Sequence, residues 1–169
     1  MAAPANPSRP AALPRLERPP TFEEARGWPR TLQARVEPSF IDSMGHMNVS
    51  RYVHLFDLAT WDFFARAGVD PQYVRDEQAG MFAVEQHLRY LGELREGDAL
   101  EVRSRLLAVR EKSIDLVNVM IDPVRERLVA VAEVVGVHID LRTRRALAFP
   151  PPVAAAMQRL LAVADGGTG

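Results

Sequence analysis

The sequence predicts an α+β protein: a curved antiparallel sheet of about five strands, wrapped around one long central helix, with a short C-terminal helix. Three observations carry this. Residues 49–67, "VSRYVHLFDLATWDFFARA", are too long for a strand and too apolar to lie on a surface. Four runs of strand character follow that helix. The links between them are short, which favours antiparallel pairing over crossovers.

Taken in order, "TLQARVEP" from Thr31 alternates enough for a short strand, which Pro38 stops. In the helix that follows, Tyr52, Phe56, Ala59 and Phe63 mark one stripe, and Val53, Leu55, Leu58 and Phe64 widen it to most of the circumference. Such a helix is expected to be enclosed by protein, with Gly68 as its C-terminal cap. A loop through "DPQYVRDEQAG" leads to "MFAVEQHLRYL", a break near Gly92 and a "REGD" turn. "ALEVRSRLLAV" has a two-residue period with one wet face. "SIDLVNVMI" and "RLVAVAEVVGVHIDL" are apolar on both faces, as central strands are, with "DPVRER" as the turn between them. "PPPVAAAMQRLLAVA" reads as the amphipathic C-terminal helix.

The 169 residues fit one domain. Residues 1–30 hold seven of the 13 prolines and no hydrophobic period, so they read as a disordered or loosely docked arm. The domain proper is placed at 31–163 and a flexible tail at 164–169. The arm lacks the apolar block of a secretory signal, and Glu17, Glu23 and Glu24 argue against a mitochondrial presequence. A net charge of -1 gives no support for nucleic-acid binding, and no apolar run is long enough to cross a bilayer. With no cysteine, disulfides, thiolate metal sites and a cysteine nucleophile are excluded; a reducing, cytoplasmic setting fits.

The chemistry gathers in "FIDSMGHMNVSRYVHLF", residues 40–56. Asp42 precedes the helix, Gly45 permits a sharp turn, and Asn48 stands where an N-cap belongs. The first amides of a helix have no partners within it and carry the positive end of its dipole. A carboxylate beside such donors suits acyl transfer as nucleophile or base, and a thioester, whose leaving group is a thiolate, needs little acid help. The same residues are also ordinary turn and capping residues, so spacing alone does not separate the two readings.

That stretch and the element order resemble the hotdog-fold thioesterases, in the branch similar to 4-hydroxybenzoyl-CoA thioesterase (4HBT-like). Members show Asp-x-x-Gly-His-x-Asn and then a tyrosine on the central helix. The pattern stands here as Asp42, Gly45, His46, Asn48 and Tyr52. The likeness runs from about Leu32 to Leu161, and "VEQHLRYLGELREGDALEV" with "EKSIDL" looks closest to thioesterase modules of carnitine and betaine breakdown. It implies a hydrolase that releases free acid and CoA from an acyl-CoA, with no cofactor and no metal. Asp42 takes the place of nucleophile or general base, and the Val49 backbone amide that of oxyanion donor. It further implies a homodimer, or a homotetramer built as a dimer of dimers, with the site where two sheets join. The other hotdog branch carries its acid within the helix; Asp57 and Asp62 lie there, without a family motif around them.

His46 and Asn48 are counted with the catalytic residues; His46 either orients substrate or holds the loop by hydrogen bonding, and the loop role is favoured. Gln86 or His87 is placed near the acyl pocket and Arg89 near the nucleotide, against the alternative of a wet outer sheet face. Further arginines and Lys112 compete for the CoA phosphates: Arg103, Arg105, Arg110, Arg142, Arg144 and Arg145. A betainyl group would want aromatic faces, for which Trp61, Phe64 and Tyr90 are available. Ser50, His54, Asp57 and Trp61 form one stripe facing a partner or solvent. A zinc site from His46, His54 and His87 matches no common ligand spacing. Two other functions stay open on this fold. One is a non-catalytic acyl-CoA-binding module, though the arm cannot supply a sensor's DNA-binding helix pair. The other is an enoyl-CoA hydratase, in which four residues separate Asp and His, where Asp42 and His46 have three between them.

Overall fold

The structure is a computed structural model and describes residues 16–165. Its first helix, α1 (Phe22–Arg26), falls where an arm without regular structure was expected. Thr21 Oγ1 accepts from the Glu24 amide at 3.2 Å while the Glu24 carboxylate accepts from the Thr21 amide at 2.6 Å, a capping box. Ala25 is buried, with Leu16, Phe22 and Trp28 packed around it. Residues 21–30 therefore correct the expectation: the Thr-x-x-Glu signal outweighs the proline density. Residues 1–15 of the expected arm and 166–169 of the expected tail lie outside the described residues.

Strand β1 (Arg30–Arg35) leads through a single 3-10 turn to the central helix α2 (Val49–Ala65). Its buried face is Tyr52, Leu55, Phe56, Ala59, Phe63 and Phe64. Val53 and Leu58 point outward instead, as do Val49 and Trp61. Enclosure all round, as the apolar pattern suggested, is not achieved by one chain, because the sheet covers a single side of the helix. Gly68 ends the helix as expected: its φ is +82°, and its amide reaches the Ala65 carbonyl at 3.0 Å. The expected loop after it contains α3 (Pro71–Glu77), started by Asp70, whose carboxylate accepts from the Tyr73 amide at 2.8 Å. Asp followed by Pro at the first helical position is a start signal that short length obscured.

Strands β2 (Ala79–Tyr90), β3 (Ala99–Val109), β4 (Ser113–Asp122) and β5 (Arg127–Asp140) complete one antiparallel sheet in the order β1-β3-β4-β5-β2. The β3–β4 and β4–β5 links are hairpins, as expected. The link over 91–98 is not: β2 pairs with β5, so the chain crosses the sheet end to reach β3. Register shifts at Ala83/Glu85, Leu106/Ala108 and Met120/Ile121 interrupt the regular ladders, as bulges that bend and twist strands do. The closing helix α4 (Pro151–Asp165) packs Val153 and Met157 on Leu106, Ile114, Leu116, Phe63 and Phe64.

A buried polar string crosses this apolar interior. Thr31 and Ser104 hydroxyls lie 2.7 Å apart, Ser104 donates to Asn118 Oδ1 at 2.5 Å, and Asn118 Nδ2 donates to Thr60 at 2.8 Å. Thr60 in turn donates to the Phe56 carbonyl at 2.8 Å. The string ties β1, β3 and β4 to α2 at one register, because a slip would strand these groups without partners.

Candidate active site

The chain between β1 and α2 is held at both ends. Ile41 and Met47 form an isolated antiparallel bridge, and the Asp42 amide donates to the His46 carbonyl at 3.1 Å. The turn inside that bridge needs Gly45 at φ +81°, a conformation that side chains with a Cβ resist. Buried Met47 donates its amide to the Leu94 carbonyl at 2.7 Å, and the Asn48 amide donates to the Phe40 carbonyl at 2.9 Å. Sequence reasoning missed Leu94; its signal was the break at Gly92, where the chain leaves β2.

Within this frame the half-buried Asp42 carboxylate receives two hydrogen bonds. The Met44 amide donates to Oδ1 at 2.8 Å, and Asn48 Nδ2 donates to Oδ2 at 3.1 Å. Asn48 is also the N-cap of α2: its Oδ1 accepts from the Ser50 amide at 3.0 Å and from the Ser50 hydroxyl at 2.7 Å. A backbone amide can only donate, so the Asn48 oxygen must face Ser50 and its NH₂ must face Asp42. The division of labour matters chemically. Asn48 satisfies the helix end, which leaves Asp42 beside that end without being consumed as its cap. The Val49 amide, at the first helical position, has no acceptor within the helix.

The other expected site residues divide into two groups. His46 is half-buried in the turn with Nδ1 3.4 Å from the Met47 carbonyl. Tyr52, one turn past Asn48, is buried, and burial pushes its phenol pKa up. Its hydroxyl faces the Gly92 carbonyl at 3.5 Å, and its ring meets Tyr90 in a T-shaped contact at 5.3 Å and 84°. Gln86 is exposed on the α2 side of the sheet, in register with Val134. His87 and Arg89 are on the opposite face, where Arg89 meets buried Glu133 at 2.5 Å and His87 Nδ1 lies 3.5 Å from the same carboxylate. Alternation along β2 therefore separates them from Asp42. Trp61 stands on the outward face of α2, three turns beyond the helix start, edge-on to Phe64.

Of the arginines considered, Arg103 pairs with Glu101 and Arg110 with Asp115, both on that same opposite face. Beside the Asp42 turn, sequence reasoning overlooked a polar cavity of about 410 Å³ lined by Glu93, Arg95, Asp98, Arg125 and Arg127. Arg95 holds Glu93 below the usual carboxylate range, with smaller contributions from His46 and Arg127. Among the described residues no group of three His, Asp or Glu side chains is placed to hold a metal ion.

Residues 36–157 match the family described as the thioesterase-like superfamily. The chain belongs to it. Within this superfamily, it is 29% identical over 130 residues to the betainyl-CoA thioesterase of Pseudomonas aeruginosa, covering 77% of this chain and 82% of that one. Against the L-carnitine dehydrogenase/betainyl-CoA thioesterase of a Rhizobium species it is 32% identical over 124 residues. That match covers 73% of this chain and spans only 25% of the longer relative. A Staphylococcus aureus protein solved in complex with CoA superposes with a TM-score of 0.76 at 24% identity, covering 80% of this chain and 85% of that one. The 1,4-dihydroxy-2-naphthoyl-CoA thioesterase of Synechocystis gives 0.68 at 16% identity, covering 76% and 95%. The hotdog fold expected from the motif is the fold of this superfamily member. No described helix is long and apolar enough to cross a membrane.

Proposed function

We propose that this chain is a cytoplasmic acyl-CoA thioesterase, a cysteine-free hydrolase that splits a CoA thioester into free acid and CoA, with Asp42 as the reacting carboxylate. One observation carries the reading: Asp42 is oriented by the Met44 amide and Asn48 beside the open start of α2, while Asn48 does the capping. As a base, Asp42 takes a proton from water, whose oxygen attacks the thioester carbonyl. As a nucleophile, it attacks that carbon directly and the resulting anhydride is hydrolysed. In both routes negative charge gathers on the carbonyl oxygen, and the Val49 amide and the α2 dipole stabilise it there. The C–S bond then breaks and CoA leaves as thiolate.

The named relatives make betainyl-CoA the first substrate to try. A second copy of the chain completes the site in this proposal. The family resemblance calls for it, β2 is an edge strand twelve residues long that pairs with β5 on one side only, and α2 leaves the apolar side chains of Val49, Val53, Leu58 and Trp61 exposed for a partner.

Thiol release from betainyl, short-chain, branched and aromatic CoA esters tests the activity, with Asp42→Asn as control. Asparagine keeps the shape and the acceptor for one donor but cannot serve as nucleophile or base. The variant should fold and lose at least about a hundredfold in kcat. Full activity in a folded Asp42→Asn variant removes the assignment, and tight acyl-CoA binding without turnover in the wild type favours a binding module.

A further inference from the structure

The described aromatic side chains with exposed or half-exposed rings are nearly all spoken for. Arg51 lies over Phe40 at 5.2 Å, Arg105 over Trp28 at 5.2 Å, and Arg144 over Phe82 at 5.8 Å. Tyr73 is engaged with His138, their polar atoms 2.9 Å apart. Trp61 remains, but it follows Asn48 by thirteen residues, about 20 Å along a helix. Tyr90 is different: it is 47% exposed, and no described cation sits over its ring.

Its position is also different. Tyr90 ends β2 on the side of the sheet that faces α2, where its ring meets Tyr52 in the T-shaped contact. That contact leaves much of the Tyr90 side chain uncovered, as its 47% exposure shows. Tyr52 is one helical turn from Asn48, and Asn48 touches Asp42. Leu94, four residues beyond Tyr90, accepts the Met47 amide at 2.7 Å, and Met47 closes the Asp42 turn through its bridge to Ile41, which places this corner against the same mouth.

We propose that the exposed ring of Tyr90, held in a T-shaped contact with Tyr52, seats a quaternary ammonium of the acyl group and so selects a betainyl ester over a neutral one of equal shape. This rests on the thioesterase reading above. In a betainyl thioester the nitrogen is two bonds from the carbonyl carbon, so its seat must lie within a few ångströms of the attacked atom. The end of β2 touches the first turn of α2 through the Tyr90–Tyr52 contact, whereas Trp61 lies three turns away. The negative π-face attracts the onium charge, which cannot be matched by hydrogen bonding because the nitrogen carries no proton.

The test compares betainyl-CoA with 3,3-dimethylbutanoyl-CoA, in which carbon replaces nitrogen and the charge alone is lost. Tyr90→Leu should lower the ratio of kcat/KM for the betainyl ester to that for the neutral ester by about three- to thirty-fold. Tyr90→Phe keeps the ring and should keep the wild-type ratio; Tyr90→Met serves as a second ring-deleting variant if leucine prevents folding. An unchanged ratio in the ring-deleting variants overturns the proposal, as does equal loss in Tyr90→Phe. A wild type that hydrolyses both esters equally well defeats the selectivity and leaves the hydrolase standing. A wild type that turns over no CoA ester at all defeats both.

Discussion

Replacing Asn48 separates two jobs that the structure loads onto one side chain. Its oxygen caps α2 through Ser50, and its NH₂ holds Asp42 at 3.1 Å. Serine caps helices about as well as asparagine, so Asn48→Ser should change stability by less than about 0.5 kcal/mol. It cannot reach Asp42 as a donor while capping. A hydrogen bond to a charged group contributes about 1.5–3 kcal/mol, and the half-exposure of Asp42 argues for the lower end. If that contact fixes the reactive orientation, losing about 1.4 kcal/mol slows kcat roughly tenfold. Asn48→Ala loses the cap as well, and should be destabilised by about 1 kcal/mol with the same loss in kcat. Thiol release under saturating ester reads kcat, and urea unfolding reads stability. The expected pattern is equal kcat in the two variants with a lowered urea midpoint in alanine only. Wild-type kcat in Asn48→Ser, or a kcat loss that tracks the midpoint across both variants, refutes the reasoning and reduces Asn48 to a cap.

Two further outcomes follow from buried polar groups. Asn118→Ala removes the centre of the string between Ser104 and Thr60 and should cost about 2–3 kcal/mol in urea unfolding; a loss below about 1 kcal/mol would show that water or neighbours replace it. At Asp122, burial pushes the carboxyl pKa up, but hydrogen bonds from the Arg125 side chain and amide, Arg127 and the Val124 amide more than offset it and leave the pKa below its ordinary value. Such a group stabilises the fold above its unfolded value near ~4, and that contribution fades as pH falls through the lower folded value. The stability gap between wild type and Asp122→Asn should therefore be widest near neutral pH and narrow in acid; a gap independent of pH sinks the linkage.

Local signals were legible wherever one short segment decides the outcome. Asn48 as N-cap, Gly45 as the turn and Gly68 as the helix end follow from side-chain size and hydrogen-bonding capacity, which act over a few residues. α1 and α3 were legible too, in Thr21–Glu24 and Asp70–Pro71, but proline density and short length hid them. The link over 91–98 was misread because short links normally make hairpins. Only the pairing of β2 with β5 shows that this one carries the chain across the sheet end.

Long-range partners were beyond the reach of periodicity. Alternation along β2 put His87 and Arg89 on one face and Gln86 and Tyr90 on the other, yet did not say which face meets α2. Glu133 decides that question, forty-four residues beyond Arg89, by holding the Arg89 guanidinium on the far side with His87 beside it. Likewise the apolar circumference of α2 predicted burial without saying by what. One chain covers only half of the helix.

By itself, then, the order of residues determined that a carboxylate, a flexible turn and a capping amide would arrive together at a helix start, since all of them lie within one short run. Tertiary structure decided that Leu94 and Tyr90 would wall the same corner, and that Glu133 would hold His87 and Arg89 on the other face of the sheet. Those choices rest on distances between segments remote in the chain. Burial and strand pairing set such distances, and no local preference encodes them.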